Sequence, residues 1–268
     1  MADKYVDIDT LKYMLYDVHN LESLLDRERF ADHDKESLDM FLDSTKEFAD
    51  RELFPYIKEM DEKPAYHKDG QVYVHGQVDK MMKEGGELGF IAAPFDYEVG
   101  GLQIPLMAHT ASSYILDAAN NHLPGYAGLT TGAAELIIHF ASKELLEKFV
   151  PNMLSGKWGG TMCLTEPQAG SSLSDIVTKA TPSENGYYNI SGQKIFISAG
   201  DSQYAENIVH LLLARVEGAP KGTKGISLFI VPKNRIKPDG SLEPNDVNSV
   251  ADFQKMGQKG YCTTHLGF

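Results

Sequence analysis

The sequence is poor in the residues that announce metal or thiol chemistry. Its two cysteines, Cys163 and Cys262, lie far apart and outside any CxxC pair. They offer no disulfide framework and no sign of an oxidising compartment. Both fall in segments read as strands, where a free cysteine serves as a small buried hydrophobe. The nine histidines are scattered, with no HxxxH or HExxH spacing, so no metal site is expected. No apolar run is long enough to span a bilayer. The first residues, Met1 to Asp7, lack both the apolar core of a signal peptide and the Arg-rich character of a transit peptide. Basic residues are scarce as well: 25 against 38 acidic, a formal charge of −13. That balance excludes a phosphate-neutralising nucleic-acid surface and docking on an anionic membrane. It fits an acidic protein of the cytoplasm. Internal repeats and low-complexity tracts are missing, and the glycines of 218–225 match neither a GxGxxG fingerprint nor a P-loop.

What is present is enough for one large or two modest domains: 268 residues, 42% of them hydrophobic. The first half reads as helical. Leu11, Met14, Leu15, Val18, Leu21 and Leu25 recur at helical spacing. A second helix is predicted from Asp34 to about Met60. Its inward stripe is Leu38, Phe41, Leu42, Thr45, Phe48, Leu53 and Ile57, with Pro55 as a point of kinking or division. Residues 63–70 read as a polar connector. A short helix around Val78, Met81 and Met82 should end at Gly85-Gly86. Further helices are expected over 106–119, 128–140 and 143–153, the last capped by Ser142.

The pattern changes after Gly156. Residues 158–165, 176–180, 187–190, 194–198, 208–215 and 226–231 read as short strands separated by Gly, Pro, Asn and Ser. Residues 250–256 and 262–268 add two more. Many strands with short turns suggest a barrel or sandwich. The fold class expected is therefore α+β and multi-domain: an all-α helical domain, then a β-barrel. A strand at the very end of the chain suggests a truncated barrel; the alternative is that Phe268 closes a small sheet.

One run carries chemistry: Met162-Cys163-Leu164-Thr165-Glu166-Pro167-Gln168-Ala169-Gly170-Ser171-Ser172. It leads from an apolar strand into a small-residue turn. Gly170 permits close approach to the backbone, and Thr165, Ser171 and Ser172 offer hydroxyls. The turn suits a polar, ringed or phosphate-bearing cofactor, but local chemistry alone favours a plain tight loop. A second segment, Gly192-Gln193-Lys194-Ile195-Phe196-Ile197-Ser198-Ala199-Gly200, follows at strand distance.

Together these two segments resemble the flavin-binding strands of acyl-CoA dehydrogenases. Three further pieces follow that family's order: the Tyr-Gly-Gly-type loop 95–101, the helix pair within 128–156, and the Lys-x-Gly-x-x-Gly turn Lys255-Met256-Gly257-Gln258-Lys259-Gly260. The resemblance runs from about Leu88 onward. It implies an N-terminal extension over 1–30, of the kind found in relatives acting on methylthiopropionyl-CoA. A helical domain over 31–156 and an incomplete middle barrel over 157–268 would follow, with the C-terminal domain missing.

The resemblance also implies roles. FAD would be the cofactor. The backbone of Met162, Leu164 and Thr165 would line the ring edge, with the Thr165 hydroxyl on the pyrimidine side. Gly170 and Ser171 would approach the pyrophosphate, and Ser171 the CoA portion of the substrate. Phe196, Ile197 and Ser198 would pack on and hydrogen-bond the ring. Many relatives carry Trp in place of Phe196 and Thr in place of Ser198. Phe keeps a stacking face without the indole N–H, and Ser keeps the hydroxyl without the methyl.

The family's reaction removes a proton beside a thioester carbonyl and transfers a hydride from the next carbon to flavin N5, giving a 2-enoyl-CoA in fatty acid metabolism. In the family a Glu of the C-terminal domain takes the proton. No segment here matches it, and Glu98, Glu135 and Glu166 read as solvated, capping or structural. No catalytic residue is therefore assigned, and the fragment alone is expected to be inactive and to bind flavin weakly. The implied partners are an acyl-CoA, an electron-transfer flavoprotein and further copies in a homodimer or homotetramer. The alternatives are an oxidase or flavin monooxygenase on the same fold, and a non-catalytic remnant.

Overall fold

The computed structural model describes residues 5–268. The first four residues of the expected extension lie outside the described residues. The helical part comprises α1 (Ile8–Tyr13), α2 (Glu22–Leu25), α3 (Lys35–Phe48), α4 (Ile57–Glu62), α5 (Gln77–Glu87), α6 (Leu106–Asn120), α7 (Pro124–Phe140) and α8 (Lys143–Leu154). Asp34 starts α3 through a reciprocal cap with Ser37. Ser142 Oγ accepts from Leu145 N at the start of α8.

The stretch read as one helix over 34–60 is divided. A wide π turn over Ala49–Leu53 and a 3-10 turn over Phe54–Tyr56 separate α3 from α4. Pro55 lacks the N–H that would continue the ladder, and its ring crowds the preceding turn. The division rotates the inward face: Ile57 is exposed and Met60 is buried in its place.

Two other expectations are corrected. Residues 63–70 are more than a polar connector, because they enter a hairpin of β1 (Tyr66–Lys68) and β2 (Gln71–Tyr73). Gly85-Gly86 does not end α5, which continues to Glu87. Gly86 serves close packing instead: a Cβ there would lie 2.4 Å from Ser155 O, so the glycine lets α5 pass the end of α8.

The β-rich part carries β3 (Trp158–Cys163), β4 (Lys179–Pro182), β5 (Tyr188–Ser191), β6 (Gln193–Ser198), β7 (Asn207–Val216), β8 (Ile226–Pro232), β9 (Asn234–Ile236), β10 (Leu242–Pro244), β11 (Asn248–Asp252) and β12 (Thr263–Gly267). β7 is the spine of the five-stranded sheet. β3 and β4 both pair with it in parallel, at Asn207–Leu212 and at Arg215 and Val216 respectively, and β8 pairs with it antiparallel. Its buried residues on both faces read as a near-continuous apolar run. β11, β12 and β6 form a second sheet. The pair β9–β10 was not foreseen, and the strand expected over 250–256 is β11, which ends at Asp252.

α7 lies on β3. Gly160 N donates to Thr130 Oγ1 at 3.0 Å, and a Cβ on Gly160 would sit 2.8 Å from the Ala133 Cβ. Gly160→Val therefore forces α7 off the sheet, and a loss of about 1–3 kcal/mol is expected from chemical denaturation. An unchanged midpoint would show that this contact has slack.

Candidate functional site

β3 delivers the first motif. Thr161 and Cys163 are buried in the core, and Met162, Leu164 and Thr165 are half-buried. After the strand the chain turns tightly: Glu166 N donates to Ala169 O at 2.8 Å, and Ala169 N returns to Glu166 O at 3.1 Å. This turn leaves Gly170 half-buried and Ser171 exposed. A Cβ on Gly170 would meet only Thr165 Cγ2, at an ordinary 3.7 Å. The chain's own packing does not require glycine there, so the free space lies on the outside.

The second motif lies beside the first. Ile195 N donates to Thr165 O at 2.9 Å, and Lys194 Nζ donates to Leu164 O at 3.0 Å. The two segments therefore form one wall. Glu166 closes the joint from within at 2% exposure. Its carboxylate accepts from Lys194 Nζ at 2.8 Å, Val177 N at 2.7 Å, Thr178 N at 3.1 Å and Gln168 Nε2 at 2.7 Å. Burial alone would raise this carboxyl, but the ammonium and the N–H donors outweigh it and hold it at about 2. Burial pulls the Lys194 ammonium below its ordinary value, against the opposing carboxylate.

A bulge shapes the middle of the wall. β6 and β12 pair at Thr264↔Ile197 and then at Leu266↔Lys194, so Ile195 and Phe196 together face His265. Phe196 takes the left-handed region, at φ 57°. In a regular strand Lys194, Phe196 and Ser198 would share a face. The bulge breaks that alternation: Lys194 and Ile197 are buried, and Phe196 is 56% exposed, its ring centroid 4.6 Å from that of Phe253. Ile197 is packed with Cys163, Leu212, Val231 and Leu266, and its carbonyl accepts from Thr264 Oγ1 at 2.9 Å, so its side chain is not open to a ligand. Ser198 is half-buried. Among the described residues the Thr165 and Ser198 hydroxyls have no hydrogen-bond partner.

The loop behind Gly170 is fixed by residues that sequence reasoning missed. Ser172 Oγ donates to Asp175 Oδ2 at 2.5 Å. Arg215 donates to Ser174 O at 2.6 Å, Ile176 O at 2.8 Å and Gly222 O at 2.7 Å. An Arg at the end of a strand gave no hint of this clamp. A sequence signal did exist for Lys194, a charged residue at an inward position of an apolar strand. The glutamates are placed apart: Glu98 and Glu135 are exposed, and Glu166 is saturated by donors. Burial pushes the Cys163 thiol up to about 12 and the Cys262 thiol up to about 11, so neither supplies a thiolate near neutral pH. No group of three or more metal-ligating side chains occurs among the described residues. No helix among them is long and apolar enough to cross a membrane. A cleft of about 1190 Å³ opens elsewhere, between the α7–α8 turn and β5 and β8; none of the eight wall residues named above lines it.

A helical layer set against a β-rich domain, with an aromatic face and free hydroxyls on one stitched wall, is an arrangement that can hold a flat ligand with a polar rim. Residues 35–157 match the model of the acyl-CoA dehydrogenase N-terminal domain, and residues 161–268 match that of the middle domain. The chain belongs to the acyl-CoA dehydrogenase family. A butyryl-CoA dehydrogenase of Syntrophomonas wolfei is 35% identical over 96% of this chain and 43% of its own length. A 3-methylmercaptopropionyl-CoA dehydrogenase of Ruegeria pomeroyi is 36% identical over 68% of this chain and 31% of its own. This chain thus spans less than half the length of either relative. The solved structure of an acyl-CoA dehydrogenase complexed with FAD from Bacillus anthracis superposes with a TM-score of 0.70 at 23% identity, covering 89% of this chain and 36% of that one. At that identity the likeness concerns the fold.

Proposed function

We propose that this chain is the flavin-holding part of an FAD-dependent acyl-CoA dehydrogenase that oxidises an acyl-CoA to a 2-enoyl-CoA. The observation that carries the reading is the single wall made by Leu164–Thr165 and Ile195–Ser198, with two unpartnered hydroxyls and an aromatic ring turned outward by a bulge. FAD, when bound, supplies the two-electron acceptor. The Thr165 and Ser198 hydroxyls then hydrogen-bond the ring's polar rim, Phe196 covers part of its face, and Gly170 and Ser171 meet the pyrophosphate. Met162 and Leu164 exclude water from the ring edge, and Ser171 touches the CoA moiety. Glu166 does not serve as the base, because its oxygens are committed to four donors. The reading extends to an electron-transfer flavoprotein as redox partner and to a dimer or tetramer as the working assembly.

Titration of the purified chain with FAD, followed by flavin absorbance and fluorescence, tests it. Saturable binding is expected, weakened about threefold to tenfold by Thr165→Val and by Ser198→Ala, one hydrogen bond each. Phe196→Gly separates structure from binding. It removes the left-handed strain, so the melting temperature without FAD holds or rises, while FAD binds more weakly. Absence of binding, or equal affinity in all three variants, would remove the wall from the flavin site.

A further inference from the structure

One peptide of the wall is held in an unusual way. Lys194 Nζ, fully buried, donates both to Leu164 O at 3.0 Å and to Glu166 Oε1 at 2.8 Å. A trans peptide points its C=O and its N–H in opposite directions, and the chain has no cis peptide among the described residues. With the Leu164 carbonyl drawn inward onto the ammonium, the Thr165 N–H of the same peptide is turned away from the core. Among the described residues that N–H has no acceptor.

The ion pair is pinned from three directions. Lys194 belongs to β6, Glu166 to the motif turn, and the carboxylate is tied to Val177 N and Thr178 N on the returning loop. A neutral donor could satisfy one carbonyl, but it could not fix three segments at once. The ammonium also polarises the peptide that it touches, making the opposite N–H a stronger donor.

We infer that Lys194 and Glu166 are positioning residues for the cofactor: their buried pair aims the Thr165 N–H at the pyrimidine edge of FAD. The inference rests on the FAD reading of the same wall. Neither side chain touches the ring; both act through the Leu164–Thr165 peptide.

The test uses the intact chain and FAD carrying carbon-13 at C2, whose resonance reports hydrogen bonding to the C2 carbonyl. Lys194→Met, Lys194→Arg and Glu166→Gln are compared with Phe48→Ala. Phe48 is a core residue of α3 in the helical part, and its loss destabilises the chain without altering the wall. Lys194→Met is expected to weaken FAD binding about tenfold, as for loss of a charge-supported contact, and to move the C2 resonance in the saturated complex. Lys194→Arg should restore part of both effects, and Phe48→Ala should change stability alone. If Lys194→Met does not fold, Glu166→Gln and Lys194→Arg are judged by the same two readings. An unmoved resonance, with affinity equal to that of Phe48→Ala, overturns the inference while leaving FAD binding intact. An unmodified chain that takes up no FAD overturns the underlying reading as well.

Discussion

Glu166→Ala strips the Lys194 ammonium of its counter-charge inside the β-rich part and is expected to cost about 3–5 kcal/mol of folding stability. The cost is large because the ammonium is fully buried and because Val177 N and Thr178 N lose their acceptor together. Glu166→Gln keeps an acceptor oxygen and should lose less. The pH dependence has a definite sign. The folded chain holds this carboxyl at about 2, below its ordinary 4.5, so its contribution is complete above pH 4.5 and disappears as the pH falls toward 2. Chemical denaturation at neutral and at acid pH measures both effects. The destabilisation by Glu166→Gln should shrink on acidification. A loss below about 1 kcal/mol for Glu166→Ala would place the pair among ornamental contacts.

Asp201→Ala is the second large effect. Asp201 is fully buried and accepts from Gln71 Nε2 at 3.1 Å, Val72 N at 3.2 Å, Ser202 N at 2.8 Å and Ser249 Oγ at 2.6 Å. It also pairs with Lys233 Nζ. The β1–β2 hairpin of the helical part is thereby latched to β11 and to the segment after β8. Removing the carboxylate leaves Val72 N–H buried without an acceptor and Lys233 without its partner, a loss of about 3 kcal/mol or more. The readout is the urea unfolding curve. A lower midpoint is expected, together with a broadened or divided transition as the two parts begin to melt separately. A single sharp transition at an unchanged midpoint would show that the latch carries no cohesion.

Much of the architecture was legible because it rests on local signals. Helical spacing from Asp34 and the cap at Ser142 located α3 and α8, and short apolar runs between turn residues located β3, β6, β7 and β8. The errors arose where tertiary contacts overrule local preference. Gly85 and Gly86 look like a helix stop, yet the passage past Ser155 calls for glycine inside the helix. Ile57 continues the stripe of Phe48 and Leu53 on paper, and the turns around Pro55 rotate it outward. The two motif segments were readable, and so was their proximity. The bulge at Ile195–Phe196 was not, because nothing in Lys-Ile-Phe-Ile-Ser marks an extra residue; only its partner strand β12 reveals it. The Arg215 clamp was hidden for the same reason, since its acceptors are backbone carbonyls.

β12 enters its sheet directly from the joint between α6 and α7. His122 Nδ1 accepts from Gly260 N at 2.8 Å, and the Tyr126 hydroxyl accepts from Cys262 N at 3.1 Å, one residue before the strand begins. The strand that sets the bulge is therefore indexed to the helices. A slip of the helical layer would travel along β12 and reappear as a tilt of the Phe196 ring, so the two halves of this chain hold their aromatic plate to a common datum.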